Sequence, residues 1–153
     1  MNHSSLSGIR AHLIHQLIYF DEQMPLLLDA YFPEHNHEKT LMYKRIERYT
    51  SMLERILGLQ DTQLADMVTE VTLLGSSVAI CYEEDGSEEE FTVVLPTETN
   101  PDQNRVSFLS PIGKQLLMRT KGDNIVLETP AASYRIRIKD VKLIYRCNFS
   151  KSS

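Results

Sequence analysis

The sequence predicts an α+β protein in which an N-terminal antiparallel α-helical hairpin, a coiled coil, precedes a domain of about five antiparallel strands and one short helix. Two observations support this fold class. Apolar residues recur every three or four positions as far as Leu57, and beyond Asp66 they give way to short β-branched runs between turn signals. We therefore expect a helical hairpin in residues 1–65 and an α+β domain in residues 66–153.

The first helix is predicted by an apolar stripe in steps of three and four, the spacing of a heptad repeat. Pro25 interrupts the stripe and removes one backbone hydrogen bond, which should kink the helix. The stripe nevertheless stays in register across Pro25, so we predict one kinked helix rather than two. The residues of the stripe are Leu6, Ile9, Leu13, Leu17, Phe20, Met24, Leu27 and Tyr31.

The second helix is predicted by a shorter stripe with the same spacing, followed by Gly58 as a plausible C-terminal cap. A segment with Pro33 and several polar residues separates the two stripes. Because a short turn joins them, the stripes should face each other in an antiparallel pair. The second stripe consists of Met42, Ile46, Tyr49, Leu53 and Ile56.

The second part reads as strands separated by turns. An acidic segment, Glu83 to Glu90, contains Asp85-Gly86 and predicts the turn of a β-hairpin, with its charges in solvent. Ser110-Pro111 predicts the start of a short helix that runs to Met118. The β-branched and aromatic runs predict strands near residues 68–74, 78–82, 91–95, 106–109, 124–129 and 133–145.

Composition narrows the possible partners. The 153 residues include 16 Lys and Arg against 21 Asp and Glu, a net charge of −5. An autonomous DNA-binding protein normally has a basic excess, because phosphate neutralisation supplies much of its affinity, so we expect no DNA binding by the chain alone. No apolar run approaches the ~20 residues that cross a bilayer, and no secretory signal is visible, so we expect no membrane partner and a cytoplasmic location.

Several runs of the second part agree in order and spacing with one known family. From Val71 to Ile144 the sequence resembles the C-terminal domain of the bacterial transcript cleavage factors, the GreA/GreB family. This resemblance implies an FKBP-like α+β domain. The matching runs are Val71-Thr72-Leu73-Leu74-Gly75-Ser76-Ser77-Val78, Phe91-Thr92-Val93-Val94, Asn100-Pro101-Asp102, Ser110-Pro111-Ile112-Gly113-Lys114-Gln115-Leu116-Leu117, Lys121-Gly122-Asp123 and Glu128-Thr129-Pro130.

The resemblance also implies a function. In the family, a coiled coil enters the secondary channel of RNA polymerase, and carboxylates at its tip help to hold the second Mg²⁺ and an attacking water. The polymerase then hydrolyses its own backtracked transcript. Hard Mg²⁺ takes oxygen ligands, and a two-metal site stabilises both the attacking and the leaving oxygen. The resemblance therefore implies a transcription elongation regulator that is not itself an enzyme and has no cofactor or metal of its own, since the Mg²⁺ belongs to the polymerase.

The turn between the helices occupies the place of the family's acidic tip. Its candidate contacts with the polymerase active centre are Glu34, His35, His37 and Glu38. The family's tip reads Asp-Leu-Lys-Glu-Asn or close to it, so the order and spacing of the carboxylates differ here. An alternative is therefore a Rnk-like protein or inhibitory Gre homologue that occupies the channel without stimulating cleavage. Two further alternatives are a small metal-dependent hydrolase that uses these four residues, and a module whose hairpin pairs with a second copy.

Two other surfaces follow from the resemblance. The family contacts the rim of the secondary channel through its strand-to-helix segment, which here consists of Leu109, Ser110, Pro111, Ile112 and Gly113. A basic patch on the family's coil attracts displaced RNA, which makes Lys44, Arg45 and Arg48 candidate contacts for backtracked RNA. The alternative for these three cations is i,i+4 pairing with neighbouring acids such as Glu47.

Overall fold

The computed structural model describes residues 3–145 and 147–149. The chain forms two compact units. The first contains residues up to Ala65 together with Asn148 and Phe149, and the second runs from Asp66 to Cys147. The α+β class with an N-terminal helical hairpin is confirmed.

The hairpin consists of α1 (His3–Tyr31) and α2 (His37–Leu57). The predicted stripe of α2 is confirmed, because all five of its residues are at most 3% exposed. The stripe of α1 is confirmed at Leu13, Phe20 and Leu27, but Tyr31 is 49% exposed and Leu28 is buried in its place. A straight helix has 3.6 residues per turn, so a stripe that repeats every seven residues drifts slowly around it. This drift accounts for the burial of Leu28 instead of Tyr31 near the end of α1.

Pro25 lies inside α1, which remains one continuous helix, so the prediction of one helix rather than two is confirmed, and the kink stays a prediction. The side chain of Pro25 is exposed. A proline on the solvent side of a helix removes one hydrogen bond but leaves the packed side intact, because water can bind the carbonyl group that loses its partner.

A third helix, α3 (Asp61–Met67), follows the hairpin in a segment where the sequence predicted only a connection. Only Leu64 among its seven residues is buried, so a periodic apolar pattern has no room to develop. Arg10 of α1 secures the start of this helix. Its guanidinium bonds Asp61 Oδ1 at 2.9 Å and donates to the carbonyl oxygens of Leu57 and Leu59.

The second unit contains one five-stranded sheet with the order β3-β2-β1-β5-β4. One helix, α4, follows β3. The core of the second unit is formed by the inner faces of the strands and by α4. Its fully buried residues include Val78, Ile80, Val93, Leu116, Ile136 and Ile138. The elements are β1 (Ser76–Tyr82), β2 (Glu88–Val94), β3 (Arg105–Ser107), α4 (Pro111–Leu116), β4 (Asn124–Glu128) and β5 (Ser133–Leu143).

Two predictions about the strands are wrong. The sheet is not entirely antiparallel, since β3 pairs with β2 in parallel, with Val93 opposite Val106. The connection between these strands contains two short 3₁₀ turns, and this length of chain allows β3 to return beside β2 in the same direction. The segment 68–74 is not a strand, because Val71 makes only an isolated bridge to Thr120 and the residues after it pass directly into the core.

Within the described ranges, no helix combines the length and the apolar composition needed to cross a bilayer.

Candidate functional site

The tip of the hairpin is shaped by a helix cap that the sequence analysis did not identify. Asn36 has an extended backbone, and its Oδ1 accepts a hydrogen bond from the backbone N–H of Lys39 at 3.1 Å. The hydroxyl of Thr40 donates to the carbonyl oxygen of Asn36 at 3.3 Å. Asn is among the preferred N-cap residues, because its side chain satisfies an N–H group that the helix leaves free. An Asn two residues before Glu38 was the signal that could have located this cap.

An ion pair joins the two helices just below the tip. Lys39 Nζ lies 2.7 Å from Asp29 Oδ1, and the Lys39 side chain is only 13% exposed. The hydrogen bond and charge of Lys39 hold the pKa of the Asp29 carboxyl below its ordinary value. This pair therefore ties the last turns of α1 to the first turn of α2. The pair could not be predicted from the sequence, because the two residues belong to different helices and only the turn brings them together.

The four predicted tip residues, Glu34, His35, His37 and Glu38, are all exposed. Glu38 occupies the first turn of α2, where the positive end of the helix dipole favours a carboxylate. Across residues 3–145 and 147–149, no group of three or more His, Cys, Asp or Glu side chains is placed to hold a metal ion. The carboxylates of Glu34 and Glu38 at the tip are therefore accessible to solvent and belong to no such group.

The predicted basic residues of α2 differ in accessibility. Lys44 and Arg48 are exposed and lie four residues apart, on the same side of the helix, whereas Arg45 is half-buried. The ion pairs found in the described part of the chain include neither Lys44 nor Arg48. Two of the three predicted cations are therefore accessible to an anionic partner.

The predicted strand-to-helix segment is a tightly bonded turn between β3 and α4. Ser110 is the N-cap of α4, and its Oγ accepts from the backbone N–H of Gly113 at 3.0 Å. The same hydroxyl donates to the carbonyl oxygen of Ser107 at 2.6 Å. The hydroxyl oxygen of Ser107 in turn accepts from the N–H of Leu109 at 3.0 Å. These bonds fix the turn without help from a partner.

Gly113 has a steric role that only the structure reveals. A Cβ atom at this position would lie 1.9 Å from the carbonyl oxygen of Ser107 and 2.8 Å from its carbonyl carbon. Both atoms belong to the backbone, so no side-chain adjustment can relieve the overlap. Glycine therefore allows α4 to start directly against the end of β3.

The outer surface of this turn is partly apolar. Pro111, at the first position of α4, is exposed, and Leu109 and Ile112 are half-buried. Gly113 is buried, and the half-buried Ser110 uses its hydroxyl for bonds within the turn. The segment thus presents a rigid, mainly apolar ridge formed by Pro111, Leu109 and Ile112.

Gln115 holds the other side of α4 against the edge of the sheet. Its side-chain amide donates to the carbonyl oxygen of Glu128 at 2.7 Å and accepts from the Glu128 N–H at 2.8 Å. The side chain thus pairs with the last residue of β4 as a neighbouring strand would. The amide also donates to the carbonyl oxygen of Pro111 at 2.6 Å. The sequence gives no sign of this role, since Gln115 and Glu128 meet only after the sheet has formed.

Comparison with known proteins identifies the family to which the second unit is similar. The family described as "Transcription elongation factor, GreA/GreB, C-term" matches residues 67–143, which include the whole β3–α4 turn. The transcription elongation factor GreA of Chloroflexus aggregans is 34% identical over 104 residues, which cover 68% of this chain and 64% of that protein. The GreA of Thermoanaerobacter pseudethanolicus is 30% identical over 113 residues, which cover 72% and 69%.

The match spans about two thirds of the length of these relatives. Among solved structures, GreA factor homolog 1 of Thermus thermophilus is similar to 90% of this chain and 92% of its own, with 24% identity and a TM-score of 0.45. Such a score is too low to bear on function. On the family match and the Thermoanaerobacter relative, this chain belongs to the GreA/GreB family of transcription elongation factors.

Proposed function

We propose that this protein binds bacterial RNA polymerase at the secondary channel and regulates transcription elongation there. The observation that carries the proposal is the family match over residues 67–143, which contains the exposed and self-supporting turn at Pro111. In this proposal the protein is a cytoplasmic accessory factor of the polymerase and is not itself an enzyme. Any catalytic Mg²⁺ belongs to the polymerase, and the chain does not bind DNA autonomously.

In this proposal the ridge of Leu109, Pro111 and Ile112 docks on the polymerase. A preformed ridge favours binding, because little conformational entropy is lost when it docks. The hydrogen bonds of Ser110 and the close approach of Gly113 provide that rigidity.

In the same proposal the hairpin extends into the secondary channel of the polymerase. At ~1.5 Å per residue, α1 is about 44 Å long and α2 about 32 Å long. The Asn36 cap and the Asp29–Lys39 ion pair hold the tip in one conformation. Glu34 and Glu38 are exposed and available to a Mg²⁺ site, and Lys44 and Arg48 are available to the displaced, backtracked RNA.

One observation favours a second candidate function, occupation of the channel without stimulation of cleavage. The carboxylate of Asp29 is already bound by Lys39, and Glu34 and Glu38, which precede and follow the Asn36 cap in the sequence, belong to no group of three or more metal-ligating side chains among the described residues. A Mg²⁺ site gains most from carboxylates that converge on the ion. This arrangement suits a channel-occupying factor, such as the inhibitory homologues, better than it suits a strong cleavage factor.

A transcript-cleavage assay on backtracked elongation complexes separates the two candidates. The wild type is compared with Glu34→Ala and Glu38→Ala, and Glu22→Ala provides an exposed carboxylate control on α1 away from the tip. A cleavage factor shortens the transcript, and either tip substitution slows this at least tenfold while the control does not.

A channel-occupying factor co-elutes with core polymerase but leaves the transcript intact. Shortening that survives both tip substitutions would contradict the role of the tip. A chain that does not co-elute with core polymerase would contradict both candidates.

A further inference from the structure

A cavity of about 780 Å³ opens in the second unit, between the β1–β2 turn and the β4–β5 turn. It has a volume typical of ligand sites, which are usually ~300–1,000 Å³. The proposed function makes no use of it. Tyr82, Glu84, Asp85, Glu89, Tyr134 and Arg135 are among its lining residues.

The floor of the cavity is an extension of the core face of the sheet. Tyr82 follows the buried Ile80 by two residues, and Tyr134 precedes the buried Ile136 by two. Side chains alternate along a strand, so both tyrosines point to the same face as these core residues. Tyr82 also lies directly opposite Ile136 in the pairing of β1 with β5. The core face of the sheet therefore continues as aromatic rings that remain partly accessible.

The two rings form a fixed aromatic pair. Their centroids lie 5.6 Å apart at an interplanar angle of 78°, an edge-to-face arrangement. Both residues are only half-buried. The face of an aromatic ring carries negative electrostatic potential, so a ring face that the cavity exposes favours a cationic group.

The polar groups of the cavity are mainly acidic. Its lining includes four carboxylates, those of Glu83, Glu84, Asp85 and Glu89, against the single guanidinium of Arg135. This excess of negative charge favours a positively charged ligand. The rings and the concave shape distinguish the cavity from the solvated acidic turn that the sequence predicted.

Glu89 is held at the floor by two bonds. The hydroxyl of Tyr82 donates to Glu89 Oε1 at 2.7 Å, and the side-chain amide of Asn104 donates to Glu89 Oε2 at 3.3 Å. Burial and the neighbouring Glu89 carboxylate raise the pKa of Tyr82 to about 12, so the phenol keeps its proton and remains a donor. The carboxylate is thus positioned beside the ring of Tyr82 before any ligand arrives.

We propose that this cavity binds an arginine side chain presented by a short segment of a partner protein. A guanidinium group is planar, stacks on aromatic faces and forms paired hydrogen bonds with carboxylates, and the floor offers both kinds of contact. The cavity is larger than one side chain, so residues flanking the arginine enter it as well. The proposal does not depend on RNA polymerase as the partner.

The test is an NMR titration of the whole ¹⁵N-labelled chain with N-acetyl-arginine-N-methylamide. The control ligand is the citrulline analogue, which has nearly the same shape without the charge. We expect saturable shifts of the backbone amides of Tyr82, Ser87 and Tyr134 with the arginine compound, and at least fivefold weaker binding of citrulline. Equal shifts with both compounds, or no saturable shift, would overturn the proposal.

Two variants locate the binding site. Glu89→Gln removes the floor carboxylate with little change of shape, and we expect at least threefold weaker binding of the arginine compound. Glu70→Gln removes the same charge at an exposed position outside the cavity and should change the affinity less than 1.5-fold. Equal weakening by both variants would show that only the net charge matters and would overturn the proposal. If Glu89→Gln fails to fold, Glu84→Gln, at an exposed residue of the rim, takes its place with the same expected result.

Discussion

Gly113 lies closer to a neighbouring backbone than any side chain allows. A Cβ atom there would be 1.9 Å from the carbonyl oxygen of Ser107, so Gly113→Ala forces the start of α4 away from β3. Overpacking of this kind costs about 1–3 kcal/mol, and we expect a loss of free energy of unfolding at the upper end of that range. Urea unfolding followed by circular dichroism measures it.

Gly58→Ala is the matched control for this substitution. A Cβ atom at Gly58 would lie 3.4 Å from the nearest atom, and the φ angle of −79° suits any residue. We expect a change below about 1 kcal/mol in either direction. If the two substitutions changed the stability equally, the close approach of Gly113 to Ser107 would not be the cause.

The tip ion pair makes a pH-dependent contribution that can be assigned to one residue. Lys39 holds the pKa of Asp29 below its ordinary value of 3.8. A carboxyl whose pKa is lower in the folded state stabilises the fold above its unfolded pKa, and this contribution is lost as the pH falls through the folded value.

We therefore expect Lys39→Gln to raise the pKa of Asp29 towards 3.8, as followed by the chemical shift of its carboxyl carbon. Lys44→Gln, on the same helix but outside the pair, should leave the titration of Asp29 in place. An Asp29 midpoint that did not move in Lys39→Gln would contradict the ion pair.

At the scale of elements, Gln115 attaches α4 to the edge of the sheet through two bonds with the backbone of Glu128. Gln115→Ala removes both bonds, so the end of β4 keeps only its pairing with β5. A hydrogen bond contributes about 0.5–1.5 kcal/mol net, so we expect the amide of Glu128 to exchange its hydrogen roughly tenfold faster. Native-state hydrogen exchange measures this.

The control for Gln115→Ala is Gln103→Ala, at an exposed glutamine at the end of a 3₁₀ turn. It should leave the exchange of the Glu128 amide within twofold of the wild type. Unchanged exchange in Gln115→Ala would show that other contacts protect the end of β4.

The elements also show how far sequence reasoning reaches. The helices of the hairpin were predictable because their apolar residues repeat along many turns, and each of the five stripe residues of α2 is buried as expected. The helix α3 was not predictable, because its single buried residue, Leu64, cannot form a repeating apolar pattern. The parallel pairing of β2 with β3 was missed because alternation shows which face of a strand is buried but not which neighbour it takes.

In the candidate site, too, local features were predictable from the sequence and contacts between elements were not. The motif Ser110-Pro111 predicted the helix cap correctly, because a serine followed by proline is a local signal. The Asp29–Lys39 pair, the contact of Gly113 with Ser107 and the anchor at Gln115 were all missed. Each joins residues of different elements, so each depends on the tertiary structure rather than on local sequence.

For the whole protein, the proposed function assigns docking on the polymerase to the ridge of the second unit and entry into the channel to the hairpin of the first. Both are required in this proposal, in which the ridge determines the affinity and the tip determines what happens to the transcript. The roles of Glu34 and Glu38 stay predictions that the cleavage assay tests. The roles of His35, His37, Lys44, Arg45 and Arg48 stay predictions as well.

A fluorescence anisotropy titration of the labelled protein with core polymerase measures whether the proposed ridge around Pro111 binds RNA polymerase. Pro111→Glu places a charge on the ridge, while a carboxylate in the first turn of a helix keeps α4 stable. Pro101→Glu is the matched control, at an exposed proline that follows the capping Asn100. We predict saturable binding of the wild type, at least tenfold weaker binding of Pro111→Glu, and less than twofold change for Pro101→Glu. Absence of wild-type binding, or equal effects of the two substitutions, would show that the turn at Pro111 is not the polymerase-binding surface.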